Sequence, residues 1–554
     1  MAALRYSVGF GQPGTRLLDI ALDIAAPDPA GQALRLPAWI PGSYKIRDYA
    51  RHVQEFAAET ADGRPLAVTR TDKSTWQVEA HAGAIRVHYR VYAWDLSVRG
   101  AHADRTHVYF NGACVFVEAV GQGGGAVQVE LAAAALALQP QWHCATAMRA
   151  ADVDARGFGR YEADDYDDLI DHPVEIGALG QIDFQVAGIP HRIALNGARH
   201  VDLERLAGDV GRICDEQHRL LGAPAGFDRY LFLGSVVDKG YGGLEHRFSS
   251  SLSLTRSALP VAGDETLSDD YRRVLGLFSH EYFHLWNVRR MKPAAFTPFD
   301  LTAEAYTGLL WVFEGITSYY DDLTMVRSGA IDEAAYLELL GEQITRVLRV
   351  PGRRLQSLHD SSFEAWTKLY QAGDNAPNSI ISYYTKGALV ALALDLTLRL
   401  DAERCTLDAV MREAWRRYGD SGDGMPERGI ETLAAELSGL ELIGFFERYV
   451  HGTEDPPLRE LLGRVGIELH LRAQTDAKDA GGKPADGARP GPWLGLRFSE
   501  AAPARIATVA SNGPAMAAGL APGDELAAIH GQLIANPGAV KHGAEAVAVG
   551  AQAV

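Results

Sequence analysis

Three residues of this chain have the types and spacing of a metal site: His280, Glu281 and His284, in the order His-Glu-Tyr-Phe-His. On a helix, positions i and i+4 share one face one turn apart, so both imidazoles can reach the same ion. Zinc accepts neutral imidazole nitrogen at about 2.0 to 2.1 Å, and a catalytic zinc site keeps three protein ligands and a water. The spacing therefore predicts two zinc ligands, His280 and His284, and requires a third.

Glu281 is suited to a different role at the same site. It follows the first histidine and can reach the water that zinc activates without being a ligand itself. Zinc lowers the pKa of such a water from roughly 15.7 to about 7, so a carboxylate can take its proton near neutral pH. We predict that Glu281 is the general base. The alternative is a chance pattern on a half-buried helix, a risk that any short motif carries.

Two glutamates compete to be the third ligand. Glu304 follows His284 after 19 intervening residues, an interval like that of thermolysin, whereas Glu314 follows after 29. Glu314 lies in an apolar helical stretch, where a lone carboxylate is costly to bury unless it is paired or metal-bound, and Glu304 lies in a polar run. We therefore expect Glu314 to be the ligand. Asp321, two turns further along, either orients a ligand histidine or is a solvated acid at a helix end.

These side chains need helices to position them. Ser268 is a suitable N-cap for a helix that carries the His-Glu-Tyr-Phe-His sequence in its middle, and Pro293 is predicted to end it. A strand is expected from Tyr230, running into the glycine-rich residues 240–243. The apolar spacing predicts further helices over residues 202–221, 307–327, 331–350, 380–400, 407–418 and 430–450.

The first 180 or so residues follow another pattern. Short alternating stretches, such as Val127-Gln-Val-Glu-Leu131, are separated by Gly, Pro and Asp, which is typical of strands and turns. A chain of 554 residues exceeds what one core usually organises, so three or four domains are expected. The segment between Arg472 and Pro492 has too few apolar side chains to pack and is predicted to be a linker.

Composition excludes several classes of partner. The chain has 71 acidic and 53 basic residues, a net charge of -18, so it has no positive field for nucleic acid. It has no run of about 18 apolar residues and no basic-then-apolar amino terminus, so neither a membrane span nor an export signal is predicted. The cysteines lack paired spacing, which fits reduced thiols in a cytoplasmic protein. They are Cys114, Cys144, Cys214 and Cys405.

The chain resembles the gluzincin aminopeptidases. His280-Glu-Tyr-Phe-His-Leu-Trp286 is similar to their HExxHxW segment, and Trp311-Val-Phe-Glu-Gly315 is similar to their WLNEG segment. The wide spacing to Glu314, the histidine that ends Gly242-Gly-Leu-Glu-His246 and the Trp39-Ile-Pro-Gly-Ser-Tyr44 segment together resemble one branch, the bacterial glycyl aminopeptidase family with a C-terminal PDZ domain. The resemblance covers nearly the whole chain.

Two more motifs of those enzymes occur in the expected order. Gly242-Gly-Leu-Glu-His246 resembles GxMEN, which grips the substrate amino group, and implies substrate binding by Glu245, Gly243 and Gly242. A fixed anion near the metal would hold a substrate ammonium, and flanking glycines let a peptide backbone approach. The alternative is an ordinary acid at a strand end.

The second of these motifs is Tyr384-Thr-Lys-Gly387, which resembles YxKG. The tyrosine of YxKG stabilises the oxyanion, and a phenol can donate its proton to that oxygen. Tyr384 is therefore predicted to be catalytic. A neighbouring aromatic residue, Tyr383, leaves open the alternative that this pair serves core packing.

The carboxyl end resembles a PDZ domain. Pro492-Trp-Leu-Gly-Leu-Arg-Phe498 is similar to the carboxylate-binding loop, and residues 513–529 are similar to the PDZ core. PDZ domains bind a peptide as an added edge strand. Only about 60 residues follow the linker, and the tail from Ala539 lacks an obvious last strand, so a purely structural role is an equal alternative to peptide binding.

The resemblance implies a multidomain α+β fold and a cytoplasmic zinc metallo-aminopeptidase with one Zn²⁺ per chain. It would remove small N-terminal residues, Gly or Ala preferred, from peptides with a free amino terminus. The alternatives are a thermolysin-like endopeptidase, which does not need the free ammonium, and a non-catalytic peptide-binding scaffold. The expected domains are a β-rich domain (1–175), a thermolysin-like catalytic domain (176–345), a helical domain (346–470), a linker (471–491) and a PDZ-like domain (492–554).

Overall fold

A computed structural model describes residues 3–9, 13–132, 141–419, 421–475, 479–483, 487, 493–500, 503–529 and 531–537. The chain divides into two compact units. The first comprises Met1–Ala305, Arg327–Ala330 and Tyr418–Gly424, and the second comprises Tyr306–Val326, Ile331–Arg417 and Met425–Val554. The metal-site motif His-Glu-Tyr-Phe-His lies in the first unit, and Glu314 and Tyr384 lie in the second.

The first unit begins with a β-rich region, as the alternating pattern predicts. Along Leu17–Ile24 and Ile85–Tyr92 every second side chain is buried, because successive residues of a strand point to opposite faces. In the described part of the chain the largest sheet has eight strands. In spatial order they are Arg149–Val153, Gly159–Ala163, Val127–Leu131, Leu4–Gly9, Leu17–Ile24, Ile85–Tyr92, Val53–Thr60 and Pro65–Leu66.

Two smaller sheets complete this region and share its apolar core. The first has the order His143–Thr146, Val174–Gly177, His107–Phe110 and Ala101–Ala103, and the second has the order Glu118–Ala119, Ala33–Arg35, Thr75–Val78 and Val68–Arg70. The short helices Gly112–Val115 and Tyr166–Ile170 pack with them.

A mixed five-stranded sheet follows in the same unit. Its order is Leu179–Val186, Ile189–Asn196, Tyr230–Val237, Ser249–Thr255 and Tyr241–Glu245. The last of these is an edge strand, antiparallel to its neighbour, and it contains the glycine-rich motif. The helix Leu203–Leu221 and the strand from Tyr230 confirm two predictions made from the sequence.

The helix with the metal-site motif, called the HExxH helix below, spans Asp269–Phe283. Its N-cap is Ser268, as predicted, and the Ser268 hydroxyl accepts a hydrogen bond from the Tyr271 amide at 3.1 Å. The prediction that it runs to Pro293 is wrong, because His284 already occupies the C-cap and the following residues form turns. The motif therefore lies at the end of the helix and not in its middle.

The second unit is mainly helical. The helix predicted at 407–418 is confirmed. The helix predicted at 307–327 begins only at Trp311, with a π-helical turn. The helix predicted at 430–450 is broken at Gly439, whose φ is 70°. The helical segments are Trp311–Gly315, Ile316–Arg327, Glu333–Leu348, Leu358–Phe363, Ala376–Ser379, Thr385–Asp401, Leu407–Tyr418, Gly429–Ser438, Ile443–Tyr449 and Leu458–Arg464. A multidomain α+β fold with a β-rich amino-terminal region and a helical region is thus confirmed.

The carboxyl end holds short elements: Leu496–Phe498, Ile506–Val509, Pro514–Ala517, Ala528–Ile529 and Gln532–Leu533. The Asn378 side chain donates to the Val509 carbonyl at 2.7 Å and accepts from the Ser511 amide at 2.7 Å. The tail from Ala539, which was expected to lack a last strand, lies outside the described residues, and the PDZ-like domain stays a prediction. None of the described helices is long and apolar enough to cross a membrane.

Candidate functional site

The HExxH helix presents two imidazoles side by side. The rings of His280 and His284 are 4.7 Å apart and nearly perpendicular, at 88°. The Nδ1 of His284 lies 2.6 Å from the carbonyl oxygen of Asn287. Since a carbonyl can only accept, Nδ1 carries the proton, and Nε2 is the nitrogen with the lone pair that a metal needs. The turn after the helix thus sets the tautomer of this residue.

The opposite face of the HExxH helix is anchored by Tyr282. Its hydroxyl lies 2.7 Å from Nε2 of His191 and 2.7 Å from Nε2 of His218, and all three side chains are buried. The Nδ1 of His191 donates to the Ile189 carbonyl at 2.9 Å, so Nε2 accepts the hydroxyl proton of Tyr282. Burial lowers the pKa of both histidines to about 4, which keeps them neutral near pH 7.

Glu281 and the edge strand meet closely. A Cβ built on Gly243 would lie only 2.1 Å from Oε1 of Glu281, so a side chain at this position of the strand would displace the carboxylate. Glu281, Glu245 and His284 are all buried, and one potential ligand atom from each lies within 4.8 Å of the others. Arg99 donates to the Gly243 carbonyl at 2.9 Å and helps to fix the strand.

Glu245 is enclosed on its other side by the Trp39–Tyr44 segment. A Cβ on Gly42 would lie 2.4 Å from Oε1 of Glu245, and the φ of Gly42 is 85°, a conformation that favours glycine. Glu245 is 3% exposed, and its Oε1 has no hydrogen-bond partner among the described residues. A buried carboxylate oxygen of this kind is suited to bind a cation or a hydrogen-bond donor.

Beside Glu245 lies a buried ionic cluster that secures the end of the edge strand. The Asp171 carboxylate contacts His246 at 3.1 Å, Arg247 at 2.9 Å and also Arg289. Burial opposes its ionisation, but the positive charges of Arg289 and Arg247 outweigh this effect and hold the pKa of Asp171 well below its usual range. The cluster fixes the residues that directly follow Glu245.

In the second unit, Glu314 and Tyr384 are brought together by two glycines. Glu314 is 2% exposed and lies in the π-helical turn, a distortion that is frequent at functional sites. A Cβ on Gly315 would lie 2.7 Å from Cα of Gly387, so the π-helical turn Trp311–Gly315 and the helix Thr385–Asp401 meet backbone to backbone. These glycines belong to the two motifs that carry Glu314 and Tyr384.

The hydroxyl of Tyr384 has a polar neighbour. It lies 3.0 Å from the hydroxyl of Tyr370, and the ring stacks on Tyr383 at 4.6 Å. Burial, followed by the charge of Glu314, raises the pKa of Tyr384 well above its usual value. The phenol therefore keeps its proton and remains a hydrogen-bond donor at neutral pH.

Each predicted site residue has a definite place. Glu304, the competing ligand, is exposed, whereas Glu314 is buried, and the choice between them stays a prediction. The Asp321 carboxylate accepts a hydrogen bond from the Asp322 amide at 2.6 Å, so its role as an orienting residue stays a prediction. Gly42 and Tyr370 were not predicted, because neither residue type signals chemistry until the fold places it beside Glu245 or Tyr384.

The donors in the first unit fit a divalent metal ion. They comprise two imidazoles in i, i+4 relation, one with its tautomer fixed, beside two buried carboxyl groups. Zinc is the metal that prefers this mixture of nitrogen and carboxylate oxygen. A buried carboxylate without a cation is costly, so the arrangement is consistent with an ion or a substrate ammonium at this place.

Comparisons with known proteins match most of the chain. The Peptidase M61 N-terminal domain matches residues 5–178, and the M61 glycyl aminopeptidase domain matches residues 273–390. The solved structure of an aminopeptidase N family protein from Idiomarina loihiensis is 37% identical, with 98% of this chain and 92% of that chain covered and a TM-score of 0.93.

More remote solved structures are also similar. An M1 zinc metallopeptidase from Deinococcus radiodurans is 15% identical, with 82% of this chain and 94% of that chain covered and a TM-score of 0.49. A two-domain M1 zinc metallopeptidase bound to L-arginine gives the same values. A search of curated proteins finds no match.

Proposed function

Because the chain belongs to the M61 glycyl aminopeptidase family, we propose that it is a zinc-dependent aminopeptidase that removes small residues from the amino terminus of peptides. The family shows that the chain is a peptidase. We propose the identity of the metal, the roles of the site residues and the preferred substrate. The observation that carries the proposal is the convergence of the buried residues Glu245, Glu281 and His284.

We propose that His280, His284 and Glu314 are the zinc ligands, with one ion at this site. The imidazole pair supplies two nitrogens, and Glu314 is the buried acid in the motif that resembles the third-ligand segment of gluzincins. Zinc held there supplies Lewis acidity, which acidifies a water and polarises a carbonyl. Asp321 is retained as the residue proposed to orient a ligand histidine.

The remaining residues have distinct roles. Glu245 binds the substrate ammonium through its buried carboxylate, and the backbone of Gly242 and Gly243 lies alongside the peptide. Glu281 takes the proton from the attacking water and passes it to the leaving amine. Tyr384 keeps its proton and donates a hydrogen bond to the oxyanion.

A preference for Gly or Ala is proposed from the glycyl aminopeptidase family to which the chain belongs. The PDZ-like domain as a peptide-binding module and a cytoplasmic location are further parts of the proposal.

The ligand assignment is tested by metal analysis. Glu314→Gln should lose zinc and turnover together, because a catalytic zinc site needs its third protein ligand. Glu304→Gln is the matched control, since it alters the competing and exposed acid. Loss of zinc in Glu304→Gln with retention in Glu314→Gln would reverse the assignment.

Substrates with an acetylated amino terminus test whether the enzyme is an aminopeptidase or an endopeptidase. We expect hydrolysis of Gly and Ala amides and peptides but not of their N-acetylated forms. Glu245→Gln should lower kcat/KM for free amines by about 10- to 160-fold, because a hydrogen bond to a charged group is worth roughly 1.5 to 3 kcal/mol. Equal rates on free and acetylated peptides would favour the endopeptidase alternative.

A further inference from the structure

A second group of metal-ligand side chains lies in the β-rich region and shares no residue with the candidate catalytic site. His102, Asp104 and His107 lie on one hairpin, in the sequence His-Ala-Asp-Arg-Thr-His, where Ala101–Ala103 pairs with His107–Phe110. One potential ligand atom from each lies within 4.8 Å of the others. The motif of the catalytic site and the family comparisons do not account for this group.

The spacing of two of these atoms is that of metal ligands. Nε2 of His102 lies 3.3 Å from Oδ2 of Asp104. A charge-assisted hydrogen bond between such groups is shorter, about 2.7 to 2.9 Å. Two ligand atoms at about 2.1 Å from a tetrahedral ion are separated by about 3.4 Å, which agrees with the observed distance.

His107 has the environment of a metal-binding imidazole. Its Nδ1 lies 2.8 Å from Oε1 of Glu175, and both side chains are buried. Proteins often orient a ligand histidine by such a carboxylate, because the bond holds the proton on Nδ1 and leaves Nε2 for the ion. The hydrogen bond thus sets the direction in which His107 can bind.

Asp104 is also held in place. Its Oδ1 accepts hydrogen bonds from the Thr106 amide, the Thr106 hydroxyl and the His107 amide, at 2.7, 2.7 and 3.1 Å. These bonds fix the carboxylate and leave Oδ2 directed towards His102. The Asp104 side chain is 34% exposed, so an ion can reach the group from solvent.

His102 lacks the contacts that usually offset burial. It is 4% exposed, and its Nδ1 has no hydrogen-bond partner among the described residues. Its ring also stacks on His107 at 4.9 Å and on Trp94 at 4.8 Å. The Nε2 of His102, which within the described part of the chain has only the long contact to Asp104, is the nitrogen available to a cation that Asp104 also binds.

We propose that His102, Asp104 and His107 bind a second divalent transition metal ion, zinc being the expected occupant. Two imidazoles and one carboxylate with a water in the fourth position suit this ion. Because the ligands come from both strands of one hairpin, the ion acts as a structural tie within the β-rich region. The site is independent of the proposed catalytic zinc.

Metal counting on the full-length, tag-free chain tests the proposal. After dialysis against buffered zinc, the unaltered protein should bind two ions, Asp104→Asn one, and His284→Gln one, while the double variant should bind none. Asp104→Asn should keep its aminopeptidase rate, and its affinity for the hairpin ion should fall at least about 100-fold, since loss of an outer partner alone costs about 10- to 100-fold.

The matched control is Asp154→Asn. Asp154 closes a similar turn, where Oδ1 accepts from the Arg156 and Phe158 amides at 2.8 and 2.9 Å. This control removes the same charge, and it should leave two ions bound. His284→Gln tests the hairpin without altering it, so a fully apo His284→Gln protein would overturn the proposal. Equal zinc in Asp104→Asn and the unaltered chain would overturn it too.

Discussion

The contact between Gly243 and Glu281 allows a quantitative prediction. In Gly243→Ala the new methyl carbon would lie 2.1 Å from Oε1 of Glu281, whereas Cβ atoms in proteins stay at least 3.0 Å from such neighbours. The carboxylate must therefore retreat by about 0.9 Å. A misplacement of about 1 Å at a reacting group can cost about 10²-fold in rate, so kcat should fall about 100-fold, or roughly 2.7 kcal/mol.

The assay is steady-state hydrolysis of a glycyl amide, with thermal unfolding measured in parallel. Gly208→Ala is the control, because a Cβ at Gly208 meets nothing within 4 Å. The same substitution in the Glu281→Asp variant shows whether the methyl group displaces the carboxylate of residue 281 or blocks the substrate. In Glu281→Asp the shorter side chain leaves more room, so adding Gly243→Ala should lower kcat by less than about threefold, since the two residues are coupled.

Two results would refute this reasoning. If Gly243→Ala keeps kcat within threefold of the unaltered chain, the position of Glu281 does not limit the rate. If the loss is the same in both backgrounds, the methyl group blocks the substrate and does not displace the base.

Three further predictions follow from the site. Glu281→Gln should abolish turnover and keep the bound zinc, and retained activity with full metal content would remove Glu281 as the base. Tyr384→Phe should lower kcat by about 10² to 10³, the usual effect of one oxyanion donor, and an unchanged kcat would assign Tyr384 to packing. Because His191 and His218 titrate at about 4 in the folded chain and near 6.5 when unfolded, the unfolded chain binds more protons between these values. The free energy of unfolding should therefore fall as pH decreases from about 6.5 to 4, and urea titrations should show a smaller fall for His191→Phe.

The local parts of the structure were predictable from sequence. Ser268 caps the HExxH helix as expected, because a hydroxyl before an acidic first turn satisfies an exposed amide. The β-rich region follows from the alternating pattern, and the apolar and polar surroundings in the sequence indicate that Glu314 is buried and Glu304 is exposed. Each of these inferences needs only neighbours in the sequence.

Two predicted helix boundaries differ from the structure, and each difference has a local physical cause. The HExxH helix ends at Phe283, because the carbonyl of Asn287 binds His284 in a turn and the chain does not continue to Pro293 as a helix. The helix expected over 430–450 breaks where Gly439 takes a left-handed conformation. Apolar spacing does not show such turns, since both sides of the break keep their apolar residues.

The sequence by itself determined the chemistry that we propose for the site, because candidate metal ligands, a candidate base and a phenol are recognisable by residue type and spacing. The tertiary structure decided which backbone segments approach those groups. Gly42 lies against Glu245, and Tyr370 lies beside Tyr384, only because segments that are distant in sequence pack there. The position of a glycine in the sequence does not show which residue will pack against it. The hairpin imidazoles likewise became a candidate site only when strand pairing placed them beside Asp104 and Glu175.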